Sequence, residues 1–147
     1  MSFEISVSRH GADLPVGLET LREIAKRAFS HTRLPEGDIS LLVCDDEKIS
    51  SLNRHYRGKT GPTDVLSFSM REGETSPGSS ELGDIVISVP TTEKQAGLYS
   101  NTIQEEFIFL FTHGLLHLLG FDHENGESEA HMMRTAQNII SEVIDGV

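Results

Sequence analysis

The eleven residues His113-Gly-Leu-Leu-His117-Leu-Leu-Gly120-Phe-Asp-His123 carry three histidines at a spacing suited to a single metal ion. His113 and His117 are four residues apart, so on a helix they stack on one face, a turn from each other. Gly120 can adopt the left-handed conformation that ends a helix, which lets the chain turn back and brings His123 toward the same point. Three neutral imidazoles leave a fourth tetrahedral position for water, the arrangement of a catalytic zinc and not of a closed structural one. Burying the three rings among Leu115, Leu116, Leu118 and Phe121 without partners would cost about 1–3 kcal/mol per unsatisfied group. One zinc ion per chain is therefore expected, held by His113, His117 and His123, and ligand type alone also admits nickel, copper or iron.

The spacing H-x3-H-x2-G-x2-H is also that of the metzincin peptidases, whose general base is a Glu directly after the first histidine. Here that position is Gly114. Glycine cannot take a proton, so peptide hydrolysis by that route has no base.

The elements that must position these residues read clearly. Phe3, Ile5 and Val7 alternate with polar residues, giving a strand over 2–9. Leu18, Leu21, Ile24, Ala25, Ala28 and Phe29 recur at helical spacing over 16–29, with Pro15 in the first turn. Ile39, Leu41 and Val43 make a second strand. Asp45 or Asp46 can cap a short helix bearing Ile49, Leu52 and Tyr56. A turn over 58–62 leads to a strand over 64–70, and residues 71–81 have the composition of an exposed loop. A fourth strand spans 83–89. Helices follow over 91–98, 102–119 and 128–144. The expected architecture is a single α+β domain over 1–147 with a mixed four-stranded sheet. The apolar helix 102–119 lies at its centre and ends in the metal site.

At 147 residues the chain can build a core without staples, and its one cysteine, Cys44, reads as a small buried strand residue. No stretch has the length and apolarity of a membrane span, and MSFEISVSRH lacks a signal-peptide profile, so the expected location is the cytoplasm. A net charge of −11 argues against broad, non-specific nucleic-acid binding. One small basic cluster, Arg54, His55, Arg57 and Lys59, stands against that background.

With these motifs in view, the chain resembles the YbeY family of bacterial metal-dependent endoribonucleases. HGLLHLLGFDH resembles the family's H-G-x-L-H-L-x-G-[FY]-D-H. Tyr56-Arg57, followed by Pro62-Thr63-Asp64-Val-Leu-Ser-Phe68, resembles its second signature, and Leu82-Gly83-Asp84-Ile85 its third. The resemblance implies a zinc-dependent, single-strand-specific endoribonuclease that acts in 16S ribosomal RNA 3′-end maturation and ribosome quality control. It places His113, His117 and His123 on the metal ligands and Arg57 on the functionally important arginine. The implied partners are single-stranded RNA, 16S rRNA and the ribosome or small-subunit proteins, with no DNA and no membrane.

In that chemistry a three-histidine zinc lowers the pKa of water to about 7 and polarises a phosphate oxygen. The fork of donors on Arg57 matches a phosphate, with Lys59 and Arg54 adding weaker attraction. Asp122 either steadies an imidazole or caps the turn. Asp64 and Asp84, at strand starts, read as structural. Glu105 and Glu106 either face the cleft or serve the helix dipole, and His131 reads as a surface residue. No general base is identified. Two other readings share these residues: a ribosome-associated assembly factor with a mainly structural metal, and a zinc hydrolase of a small molecule.

Overall fold

A computed structural model of the chain describes residues 3–70, 81–120 and 126–144, with side chains described from residue 129 in the last segment. The strand order is β1-β2-β4-β3, where β1 is Ile5–His10, β2 Asp38–Cys44, β3 Val65–Ser69 and β4 Glu81–Ser88. β1 and β2 run parallel, as do β2 and β4, while β3 is antiparallel to β4. This is the mixed sheet that the sequence pattern leads one to expect.

Period-two alternation sends neighbouring residues of β4 to opposite faces. Ile85 and Ile87 join the main core with Ile39, Leu41, Val43, Phe107, Phe111 and Leu115, whereas Val86 joins a smaller cluster with Cys44, Ile49 and Leu66. The main face is covered by α1 (Leu18–Thr32), α4 (Ile103–Leu118) and α5 (Gly126–Ile144). The opposite face is covered in part by α2 (Asp46–Arg57), while α3 (Val89–Leu98) packs on α4.

The helix ends show why the segments start and stop where they do. Asp45 accepts from the Lys48 N–H at 2.9 Å and caps α2, and Gly58 ends that helix at φ +67°. Thr102 and Glu105 form a reciprocal capping box that fixes the start of α4. Pro15 does not lie in the first turn of α1; the helix starts at Leu18 behind an extended Gly17. Asp46 bonds the Ser88 and Thr91 hydroxyls at 2.6 Å each, tying α2 to the start of α3. Burial raises its pKa, but those two donors and the nearby Lys94 charge outweigh burial and hold the carboxyl below its ordinary value.

Candidate metal centre

α4 is the most deeply enclosed helix of the fold. Phe107, Phe111, Leu115 and Leu116 are fully buried on it. Phe109, His113 and His117 form an i, i+4, i+8 stripe along a cleft of about 820 Å³ between α4, α5 and the start of β3. The structure thus brings His113 and His117 together, half-buried in one cleft. The His113 ring packs against Phe109 with centroids 4.5 Å apart, and its Nε2 lies 3.1 Å from the Met133 sulfur on α5. Gly120 has φ +100°, the left-handed geometry that ends the helix after His117. His123 and Asp122 lie outside the described residues, as does the 71–80 portion of the expected loop.

Arg57 occupies the last turn of α2, exposed, and is not among the described residues that line this cleft. Seven residues further on, Asp64 does line it, and its Oδ1 accepts from the Val65 N–H at 2.8 Å and the Thr63 hydroxyl at 3.4 Å. Asp64 is both a turn-fixing group, as its strand-start position suggests, and a carboxylate at the cleft. The two adjacent glutamates divide their roles. Glu105 closes the capping box, while Glu106 is buried against the cleft, with Asn101 donating to it at 3.4 Å. His131 is exposed on α5, as expected.

The structure gives Gly114 a positive reason to be glycine. A Cβ there would sit 3.1 Å from Ile85 Cγ2, 3.1 Å from Ser67 Oγ and 3.4 Å from Val65 Cγ2. The Ser67 hydroxyl donates to the Gly114 carbonyl at 3.2 Å. α4 is therefore pressed onto β3 and β4 directly beside His113. Position 114 faces the sheet, which is a second reason, beyond the missing carboxylate, that the peptidase arrangement does not arise here. Gly83 serves the same closeness from the strand side, since a Cβ there would meet the Phe68 carbonyl oxygen and Leu118 Cδ2.

The charge of the cleft bears on what it can hold. Asp64, Glu105 and Glu106 line it with the two histidines, and no Lys or Arg is among the described lining residues. His117 also lies in the last turn of α4, where the helix dipole presents partial negative charge. These groups attract a cation and repel a free phosphate. Imidazole nitrogens such as those of His113 and His117 suit a borderline metal such as zinc. Among the described residues no three His, Cys, Asp or Glu side chains converge on one point, so His113 and His117 would need a further ligand to hold an ion. Sequence reasoning missed Met133, because a Met at helical spacing is explained equally well by the core.

Fold and site together define an α+β protein whose central helix lays a histidine pair along an acidic cleft. Residues 8–144 match the family model described as Endoribonuclease YbeY. A protein named Endoribonuclease YbeY from Moorella thermoacetica is 42% identical over 95% of this chain and 97% of its own length. One of the same name from Pelotomaculum thermopropionicum is 52% identical over 67% of this chain and 66% of its own. A solution structure from Thermotoga maritima shares the fold at a TM-score of 0.62 and 24% identity, covering 95% of this chain and 88% of that one. The chain belongs to the endoribonuclease YbeY family. Among the described residues, no helix is long and apolar enough to cross a membrane.

Proposed function

We propose that this chain is a zinc-dependent endoribonuclease acting on single-stranded RNA, with the 3′ end of 16S ribosomal RNA as its target and the small ribosomal subunit as its setting. Family membership supports RNA cleavage. The observation that supports metal dependence is the sign of the cleft: its described lining holds two imidazoles and three carboxylates with no Lys or Arg, so an RNA phosphate is repelled unless a metal reverses the charge. His113, His117 and His123 would hold one zinc ion, which supplies Lewis-acid polarisation of phosphate and acidification of water. The chain's own residues do the rest. α4 fixes His113 and His117 on one stripe, and Phe109 and Met133 pack on His113 to limit its ring positions. Arg57, at the end of α2, grips a phosphate of the strand as it arrives across the 58–64 turn. Asn53 steadies that turn, its amide donating to the Gly61 carbonyl at 3.0 Å. Glu106, buried at the cleft about 10 Å along α4 from His113, adds to the negative charge that favours a bound cation.

The test is metal content and cleavage of a single-stranded RNA oligonucleotide by the wild type and by His117→Ala and Arg57→Glu variants. The reading expects His117→Ala to lose both metal and cleavage, and Arg57→Glu to keep metal while cleavage falls by at least about tenfold. Chelation that abolishes cleavage while circular dichroism is unchanged supports a catalytic ion. Chelation that unfolds the chain supports instead an assembly factor with a structural metal. Undiminished cleavage by His117→Ala overturns the proposal.

A further inference from the structure

On the face of the sheet opposite α4, a second cavity of about 390 Å³ runs beside α2 across all four strands. Its walls are aromatic and apolar: Tyr56 and Leu52 from α2, Phe68 and Met70 from β3 and the residue after it, and Leu42 from β2. Tyr56 and Phe68 are in ring contact at 5.3 Å, His55 meets the Tyr56 edge at 4.5 Å, and Tyr56 is 61% exposed. The polar groups in the cavity are Ser8, Ser40 and Asp84. Arg54 and Arg57 share the last turn of α2 with Tyr56 and Lys59 follows in the turn, all three exposed, in a chain whose net charge is −11. Asp84, which the sequence suggests is only a strand-start residue, lies within β4 and lines this groove.

An aromatic pair, two serine hydroxyls with one carboxylate, and cations on the helix turn that carries Tyr56 suit a nucleotide taken base-first. The base stacks on Tyr56 and Phe68, because every base has a π-face that an exposed ring can cover. Its edge donors meet Asp84 and Ser40. Its phosphate is kept out of the groove by the Asp84 charge and drawn to the Arg54 turn. One class of RNA-recognition module stacks bases on the aromatics of a four-stranded sheet; here Phe68 on β3 supplies one such ring and Tyr56 on α2 the other. We propose that this groove is a base-stacking subsite for single-stranded RNA, separate from the histidine cleft. β3 joins the two places: Asp64 and Val65 at its start line the cleft, and Phe68 lines the groove. From Val65 to Phe68 is about 10 Å at strand spacing. A strand anchored in the groove is thereby directed around the sheet edge toward the cleft. The inference rests on the RNA substrate proposed above.

The experiment uses full-length, metal-loaded wild type, Tyr56→Ala, Tyr56→Phe and Arg54→Ala. Binding of a fluorescent single-stranded RNA oligonucleotide is read by anisotropy on ice at several salt concentrations, and steady-state cleavage is read alongside. Tyr56 is exposed at a helix end, so its replacement leaves the fold intact. Tyr56→Ala is expected to weaken binding about 5- to 150-fold, the range for one lost base stack. KM should rise more than kcat falls, and Tyr56→Phe, which keeps the ring, should restore affinity. Arg54→Ala should lower the slope of log K against log salt by about 0.7. Wild-type affinity in Tyr56→Ala overturns the groove and leaves the nuclease reading standing. Tyr56-dependent binding without wild-type cleavage supports the groove and overturns the nuclease reading. A duplex RNA bound as tightly as the single strand overturns the stacking mode.

Discussion

Gly114→Ala isolates the closeness of α4 to the sheet. The substitution removes a glycine from a helix interior, which by itself stabilises by about 1 kcal/mol. Against that, the new methyl has no room: two heavy atoms lie 3.1 Å from its position, and one of them, Ile85 Cγ2, belongs to a fully buried residue that cannot swing away. Overpacking of this kind costs about 1–3 kcal/mol. The net is a loss of about 0–2 kcal/mol, or a fall in Tm of up to about 6 °C at roughly 3 °C per kcal/mol. The functional cost is larger. If the strain is relieved by lifting α4 from β3 and β4, His113 and His117 move with it, and a misplacement of about 1 Å can cost about a hundredfold in rate. Thermal unfolding and RNA cleavage are measured on the same preparation. Cleavage should fall about 10- to 100-fold while Tm moves by only a few degrees. Ser67→Ala in the same chain removes one of the two 3.1 Å contacts and should recover part of the loss. A Gly114→Ala protein that is about 3 °C more stable than wild type and fully active would refute the reasoning, because it would show the helix to be free of the sheet at His113.

The α1–α5 contact is pH-dependent. The 2.9 Å contact from His31 Nε2, opposed by slight desolvation and helped by Arg27 at 3.2 Å, holds Glu142 below its ordinary value of 4.5. Below that value the unfolded chain binds the proton first, so the contribution is complete above about pH 4.5 and is lost as pH falls through the folded pKa. Unfolding midpoints from pH 3 to 6 should therefore drop less steeply in Glu142→Gln than in wild type, and equal slopes would contradict this. Burial, with Asp45 and Asp46 nearby and Lys48 only partly offsetting them, pushes the Cys44 thiol from 9.0 to about 11. A thiol reagent at pH 8 should therefore modify it only at the rate of global unfolding, and fast labelling of the native protein would disprove the enclosed position.

Much of this architecture is legible in the residue pattern. The strands and helices follow from period-two and 3.6-residue spacing, and Asp45 caps its helix as its type suggests. The N-terminus of α1 is misread because Pro15 looks like a first-turn residue, whereas Gly17 supplies the extended cap without any side-chain bond. The order β1-β2-β4-β3 is not legible, since pairing between distant strands leaves no local mark. In the cleft, the placing of His113 and His117 on one helix face follows from their spacing. The sequence leaves Glu105 and Glu106 alike between the cleft and the helix dipole, and the capping box with Thr102 is what separates them. The meaning of Gly114 was not readable: its missing side chain matters only once Ile85, Ser67 and Val65 are known to lie beneath it. Nor does sequence show that Tyr56 and Phe68, twelve residues apart, touch across a helix and a strand.

The capped start of α4 and its tight seating at Gly114 fix the backbone beneath His113 and His117, whose Cα atoms are separated by roughly 6 Å along the axis for four residues. If the pair holds an ion as proposed, a mismatch in preferred geometry would be met by rotation of the rings and not by a shift of the helix. Discrimination among metals would then fall to whichever ligand completes the set, and exchange of one ion for another would leave the framework around it undisturbed.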